Sequence, residues 1–271
     1  ALEAKDQFTP DEAWALLDQS SHADVYAEYF LPIIERAAAQ SGDAELIAAS
    51  DVLRSWSRES RDADGDGIYD EEATGLFRAF VSALLQRTLS DDLGDAFSYF
   101  ASTGYPTVAT PTGAGTNLQS GLKAIIEVIE GPASFDVFNG RPPERVVADA
   151  LRDALRSAQS GGLPAASRPF LTSNFLGIPQ ASEDELLTAP LEQNRGTENN
   201  MIVMRPGAIV GWEVTPPGQS GFIAPDGSRS EHYDDQFELY YQFNRKRTWF
   251  YPDDVEAHKV SETMLTITQP Q

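Results

Sequence analysis

The sequence has no cysteine among its 271 residues, and positive charge is scarce. Without cysteine there can be no disulfide framework, no thiolate metal site and no cysteine nucleophile. The 20 lysine and arginine residues are outnumbered by 42 aspartate and glutamate residues, so the formal net charge is −22. Nucleic-acid binding depends on clustered basic side chains, and this charge balance argues against a nucleic-acid partner.

Long apolar runs, internal repeats and low-complexity tracts are also missing. No stretch approaches the roughly 18 consecutive apolar residues of a membrane span, so we expect no membrane segment. Hydrophobic residues make up 41% of the chain and aromatics 10%, which is ordinary for a globular protein. The chain starts at Ala1 without a signal peptide, which we interpret as proteolytic processing. Together with the lack of cysteine, this suggests a bacterial periplasmic or secreted protein.

Residues 1–160 have the pattern of a helical region. Thr9 to Glu12 forms a capping box with Pro10 at the first helical position, which predicts a helix start. Gly42 and Asp43 predict the end of one helix and the start of the next. Apolar residues then recur at helical spacing and predict core-facing stripes, within 46–56, 76–85, 122–129 and 146–155.

Residues 161–271 have the pattern of strands and loops, because proline and glycine become dense there. So few strands would form a small sheet with open edges, which additional polypeptide would have to cover. The sequence therefore predicts an α+β fold with a helical N-terminal half and a β-rich C-terminal half. The predicted strands are Met201–Met204, Ala208–Val214, Gln236–Phe243 and Glu262–Thr268.

The segment 62–73 has the spacing of a calcium-binding loop. Calcium takes six to eight oxygen ligands, which such a loop supplies from alternate positions around a glycine turn. The twelfth position, which should carry a bidentate carboxylate, is Ala73, and Glu72 one residue earlier is its imperfect substitute. The alternative is a solvated Asp/Gly turn without metal. If the loop binds a structural calcium ion, its predicted ligands are Asp62, Asp64, Asp66, the carbonyl of Ile68, Asp70 and Glu72.

Two further motifs invite comparison with catalytic sites. Ser220 lies between glycines in the segment Gly218 to Gly221. A nucleophile elbow needs glycine two residues after the serine, where Phe222 stands. A tight turn therefore explains the motif better. His232 lies among acidic residues without a second histidine nearby, which is typical of a hydrogen-bonded structural group. Sequence reasoning therefore assigns no catalytic residue and leaves substrate-binding residues unknown.

Several motifs nevertheless resemble the end of the β subunit in the penicillin acylase family, in order and in spacing. The most specific are Pro216–Phe222 and His232–Gln236. The resemblance extends over most of the chain, and the acidic loop looks like an insertion in it. The other matching segments are Phe8–Glu12, Leu31–Pro32, Leu53–Trp56, Leu76–Phe77, Asn194–Asn200 and Leu239–Tyr240.

The resemblance implies part of a four-layer αββα N-terminal-nucleophile hydrolase. In that family the first residue of the β subunit is a serine that attacks an amide carbonyl, with its own α-amino group as base. Members cleave N-acyl amides such as penicillins and acyl-homoserine lactones, usually outside the cytoplasm. Because Ala1 has no nucleophilic side chain, we expect residues 1–271 to be a C-terminal β-subunit fragment. It would be inactive alone and would act with a companion α chain and an N-terminal β segment.

Two alternatives remain open at the level of sequence. One is a non-enzymatic, calcium-stabilised extracellular binding domain, supported by the acidic loop, the overall acidity and the lack of a nucleophile in this chain. The other, less well supported, is a self-contained hydrolase that uses Ser220 and His232.

Overall fold

The structure is a computed structural model that describes residues 6–97, 118–131, 135–163, 167–170, 187–190, 199–215, 218, 224–233 and 235–264. It is a mixed fold of helices and small antiparallel sheets, as the sequence predicts. The helices are α1 (Pro10–His22), α2 (Ala27–Ser41), α3 (Ala44–Ser55), α4 (Glu72–Leu93), α5 (Leu118–Glu130), α6 (Pro143–Gln159), α7 (Phe237–Tyr241) and α8 (Pro252–His258). The strands are β1 (Ser167–Phe170), β2 (Leu187–Pro190), β3 (Asn199–Arg205), β4 (Ala208–Val214) and β5 (Lys246–Thr248).

The starts of α1 and α3 follow their predicted capping signals. The backbone N–H of Thr9 donates to the Glu12 carboxylate at 2.9 Å, and the Glu12 N–H donates back to the Thr9 hydroxyl at 3.2 Å. Gly42 ends α2 at φ +65°, a left-handed conformation that glycine adopts without strain. Asp43 then accepts a hydrogen bond from the backbone N–H of Glu45 at 3.0 Å and caps α3.

A buried ion pair holds the start of α2 against α4. One carboxylate oxygen of Asp24 accepts hydrogen bonds from the backbone N–H groups of Tyr26 (2.9 Å) and Ala27 (3.1 Å). The other oxygen lies 2.9 Å from a guanidinium nitrogen of Arg78, and the Asp24 side chain is only 3% exposed. Asp24 therefore caps one helix and binds the cation of another.

The helices form one apolar core. Helix α4 packs against α6, and α2 packs against both α6 and α3. Phe77 of α4 is fully buried, with ring centroids 5.3 Å from Trp56 and 5.9 Å from Phe80. Phe80 in turn meets Phe30 of α2 edge-on at 6.1 Å. None of the helices within the described ranges has the length and apolarity that a membrane span requires.

Half-buried ion pairs surround Asp149 on α6. Its carboxylate pairs with Arg141 and lies 2.8 Å from Arg152, whose other guanidinium nitrogen lies 3.2 Å from Asp43. Partial burial acts to raise the pKa of Asp149, but the hydrogen bond from Arg141 and the nearby guanidinium charges lower it below its ordinary value. The hydrogen bond from Arg152, followed by the Glu45 backbone N–H, likewise lowers the pKa of Asp43.

We expect these depressed pKa values to make the fold acid-sensitive. Because the folded pKa lies below the unfolded one, each carboxylate contributes stability above about pH 4, and this contribution is lost as the pH falls through the folded pKa. The Asp149→Asn variant should therefore lose less stability than the wild type between about pH 6 and about pH 3 in urea unfolding. The exposed Asp92→Asn change on α4 is the control, and an equal effect of both substitutions would contradict the prediction.

The strands β3, β4 and β5 form a three-stranded antiparallel sheet in that order. Met201 of β3 lies opposite Trp212 of β4, and Trp212 lies opposite Arg247 of β5. The two strands predicted at Met201–Met204 and Ala208–Val214 are confirmed. Strands β1 and β2 form a separate antiparallel pair.

The strand predicted for Gln236–Phe243 is wrong, because this segment contains the short helix α7. Gln236 is 2% exposed, and its side-chain oxygen accepts the backbone N–H of Thr215 at 3.1 Å. This tertiary anchor overrides the β propensity of the aromatic residues. Of the strand predicted for Glu262–Thr268, residues 262–264 are irregular and 265–268 lie outside the described residues.

By its internal contacts the chain divides into two compact units. Unit 1 comprises Ala1–Leu16, Arg195–Phe222 and Ser228–Gln271, and unit 2 comprises Leu17–Asn194 and Ile223–Gly227. Unit 2 holds the helical core described above.

Unit 1 contains a stack of alternating aromatic rings and cations. Each arginine lies 4.4–5.3 Å from the centroids of its neighbouring indole rings, which is within cation–π range. At the far end the rings of Trp249 and His258 stack at 3.8 Å. In order, the stack consists of Trp14, Arg245, Trp212, Arg247, Trp249 and His258.

Candidate functional site

The acidic loop connects α3 to α4, and its ends are joined by backbone hydrogen bonding. The N–H of Asp70 donates to the carbonyl of Arg61 at 2.9 Å, and the N–H of Ala63 donates to the Asp70 carboxylate at 3.0 Å. Gly65 and Gly67 have φ values of +72° and +85°, which favour glycine. The tight turn between these ends therefore depends on the glycines of the motif.

Three of the predicted carboxylates come together in this turn. Oxygens of Asp62, Asp64 and Asp70 all lie within 4.8 Å of one another. The two Asp62 oxygens also accept the backbone N–H groups of Asp66 (3.1 Å) and Gly67 (3.0 Å). These bonds fix the direction of the Asp62 side chain toward the inside of the loop.

The remaining predicted ligands are placed differently. Asp66 lies outside the group of three, and its carboxylate accepts the backbone N–H of Ile68 at 2.7 Å. Glu72 also lies outside that group and is the first residue of α4. Ala73, at the twelfth position, is buried at 4% exposure. Spacing alone thus indicated which carboxylates the loop contains but not which three of them converge.

The chemistry of this group suits a hard cation. Its donors are all carboxylate oxygens, the ligand type that calcium prefers. Like charges so close together repel each other, and a divalent cation between them would remove that repulsion. The carboxylates of Asp62, Asp64 and Asp70 are therefore chemically suited to a calcium ion, which they would hold if it bound here.

Gly218, from the first of the two most specific motifs, contacts residues of the second. A Cβ atom added at Gly218 would lie 2.3 Å from the His232 carbonyl oxygen and 2.7 Å from a side-chain oxygen of Asp235. Only glycine fits at such a distance. Gln236, the last residue of the second motif, receives the hydrogen bond of Thr215 described above. Gly218 is therefore packed closely against His232 and Asp235, which sequence spacing could not reveal.

The His232 side chain lies at the surface. Its Nδ1 donates to the Asp235 carboxylate at 2.9 Å, Glu231 lies 3.6 Å from its Nε2, and the side chain is 55% exposed. The exposed His232 ring is thus hydrogen-bonded to one carboxylate, that of Asp235. The alternative of a self-contained hydrolase also requires Ser220, which lies outside the described residues.

Comparison with known proteins places these observations in a family. The family profile described as Penicillin amidase matches residues 1–257. Penicillin G acylase of Escherichia coli is 33% identical over 288 residues, which cover 98% of this chain and 34% of that protein. The solved structure of a thermostable penicillin G acylase from Alcaligenes faecalis aligns with a TM-score of 0.73 and 30% identity, covering 99% of this chain and 51% of that one.

The profile match, the identity to the Escherichia coli acylase and the structural alignment agree with one another over nearly the whole chain. The chain spans 34% of the length of that curated relative. It belongs to the penicillin amidase family.

Proposed function

We propose that this chain is the C-terminal part of the β subunit of an N-terminal-nucleophile hydrolase that cleaves N-acyl amides. Its sheets and helices would form part of a four-layer αββα fold. The substrate class is an acylated amine such as a penicillin or an acyl-homoserine lactone. The observation that carries the proposal is family membership across residues 1–257.

In this proposal the reacting groups lie on other polypeptide. The nucleophilic serine and the base, its own α-amino group, would be contributed by an N-terminal β segment, beside a companion α chain. This chain spans 34% of its Escherichia coli relative, which leaves most of such a protein to those partners. Here residues 1–271 would support the reaction centre and help to wall the acyl pocket.

The test is amide hydrolysis by the chain alone and by the protein assembled from the whole precursor. Release of 6-aminopenicillanic acid from penicillin G and of homoserine lactone from an acyl-homoserine lactone would be followed. We expect turnover of one of these by the assembly and none by the isolated chain. Turnover by the chain alone would contradict the proposal. A folded assembly without amidase activity would also contradict it and would favour the alternative of a non-enzymatic binding domain.

We propose further that the loop between α3 and α4 binds a structural calcium ion. Asp62, Asp64 and Asp70 would hold it. The sequence predicts the Asp66 carboxylate, the Ile68 carbonyl and Glu72 as further ligands. The ion would brace the start of α4 and take no part in the amide chemistry. Loops of this kind outside cells bind weakly and need abundant calcium, which supports a periplasmic or secreted location.

Calcium is expected to raise the melting temperature of the protein. At a concentration 100 times its Kd, binding adds about 2.7 kcal/mol to the free energy of unfolding. The Asp62→Asn/Asp64→Asn variant should lose this calcium-dependent shift in differential scanning calorimetry. The control Asp51→Asn, on the exposed surface of α3, should keep it. An equal shift in both variants would exclude the loop as the binding site.

A further inference from the structure

The end of α1 runs beside the connector between α3 and α4. Ala23 and Glu59 form an isolated antiparallel bridge. Beside this bridge, the backbone N–H of Ser60 donates to the His22 carbonyl at 2.8 Å, and Ser60 is buried at 5% exposure. The backbone of His22, the last residue of α1, is thus already paired with the connector.

The imidazole ring of His22 adds a side-chain contact to this pairing. Its Nδ1 lies 3.2 Å from the carbonyl oxygen of Ser60. Because a carbonyl oxygen only accepts hydrogen bonds, this contact assigns the proton of the neutral ring to Nδ1. A change of protonation then takes place at Nε2, which lies 3.6 Å from the Asp18 carboxylate one turn earlier in α1. Each ring nitrogen therefore faces an acceptor, and only the imidazolium carries a proton for both.

The charged side chains around the ring favour the imidazolium. Partial burial acts to raise the pKa of Glu59, but hydrogen bonds from neighbouring side chains and the charges of Arg61 and His22 lower it below its ordinary value. The Arg61 guanidinium lies 2.6 Å from Glu59 and 3.7 Å from Asp18. Within the described part of the chain, these two carboxylates and one guanidinium leave one negative charge beside the ring. An imidazolium neutralises that charge.

The remaining surroundings of the ring act in both directions. On the Ser60 side, Arg78 donates to the Ser60 hydroxyl at 3.3 Å, but Asp24 balances its charge at 2.9 Å. The position of His22 at the end of α1 favours a cation, because the helix dipole is negative there. Burial opposes the charge, since the His22 side chain is only 11% exposed. Two carboxylates and a helix end act against this single cost, so the balance favours the charged ring.

We propose that His22 is a pH-sensitive latch that joins the end of α1 to the connector at Ser60. As an imidazolium, the ring donates from Nδ1 to the Ser60 carbonyl and holds its charged Nε2–H against Asp18. Loss of the Nε2 proton turns a lone pair toward the Asp18 carboxylate, and the resulting repulsion loosens α1 from the connector. The latch uses no group of the amide chemistry, so it can be tested independently of the proposed function.

The latch is expected to lose its contribution to stability at alkaline pH. An ordinary histidine titrates near about pH 6.5. Because the folded state favours the imidazolium, the folded pKa of His22 lies above the unfolded one, and the latch is fully effective below about pH 6.5. Its contribution is lost as the pH rises through the folded pKa. Asp43 and Asp149 act in the opposite direction, since their contribution is lost in acid.

Titration of the histidine ring protons by NMR tests the proposal in the full 271-residue chain. The three histidines are assigned by through-bond correlation to the backbone. We expect the pKa of His22 in the folded protein to lie above that of the same residue in the urea-unfolded chain. A folded pKa equal to the unfolded one, or below it, would overturn the proposal.

A matched pair of variants tests the contribution of the Asp18 charge. Asp18→Asn should lower the folded pKa of His22 by at least about half a pH unit, because the nearby negative charge is lost. Asp51→Asn, on the exposed surface of α3 where Asp51 pairs with Arg54, should leave this pKa unchanged. Equal shifts in the two variants would overturn the proposal.

Urea unfolding at about pH 6 and about pH 9 provides a readout that a merely structural histidine would not change. The His22→Asn variant keeps an N–H donor for the Ser60 carbonyl but cannot gain a proton. The folding equilibrium constant should fall between the two pH values at least about fivefold more in the wild type than in His22→Asn. Equal falls in the two proteins would overturn the proposal. If His22→Asn does not fold, the NMR titration decides the question without it.

Discussion

Replacing Arg78 by leucine is expected to lower the free energy of unfolding by about 3–5 kcal/mol, because it leaves a buried carboxylate without its counter-charge. Asp24 is 3% exposed, and its Oδ2 lies 2.9 Å from the Arg78 guanidinium. The carboxylate cannot turn to solvent without giving up the Tyr26 and Ala27 N–H groups at the start of α2. Urea unfolding followed by the far-ultraviolet signal of the helices measures the loss.

The Arg54→Leu variant is the matched control for this prediction. Arg54 pairs with Asp51 at 2.6 Å on the surface of α3, where the two side chains are 64% and 55% exposed. Such pairs contribute about 0–1 kcal/mol, so the change should be small. The Asp24→Asn background keeps the helix cap but removes the charge. In that background Arg78→Leu should lower the free energy of unfolding clearly less than it does in the wild type. Equal losses for Arg78→Leu in both backgrounds would rule out the charge argument.

Replacing Phe77 by alanine is also expected to lower the free energy of unfolding by about 3–5 kcal/mol, but because it removes apolar packing. Phe77 is fully buried, between Trp56 and Phe80. Removing its ring leaves a cavity in the centre of the helical core, which the close-packed neighbours can fill only in part. The measurement is again the free energy of unfolding in urea, compared at one pH.

Phe135→Ala makes the same chemical change at a position that is 59% exposed. Surface substitutions of this kind usually stay within about 0.5 kcal/mol. The Phe77→Leu variant keeps most of the side-chain volume. Its loss of unfolding free energy should therefore lie between those of Phe135→Ala and Phe77→Ala. If Phe135→Ala proved as costly as Phe77→Ala, burial would not be the cause of the loss.

The helix starts could be predicted because their signals are local. The Thr9–Glu12 capping box and the Gly42–Asp43 pair each act through residues within three or four positions, and both were found as predicted. The strands β3 and β4 were also predictable, since their β-branched and apolar residues are bounded by turn residues.

Elements that depend on distant partners could not be predicted. The segment Gln236–Phe243 has the composition of a strand, but the bond between Gln236 and Thr215 anchors it as the helix α7. β5 has three residues, and it is a strand because it pairs with β4. In the acidic loop, spacing indicated which carboxylates exist but not which of them converge. Asp66 is turned onto the Ile68 N–H by local backbone bonding.

The stack of rings and cations in unit 1 determines what intrinsic fluorescence can report. Three of the four tryptophans, Trp14, Trp212 and Trp249, belong to it, whereas Trp56 lies in the helical core of unit 2. Emission will therefore be weighted toward unit 1, and circular dichroism toward the helices of unit 2. A chemical denaturation watched by both signals at once can tell whether the two units melt together or in succession.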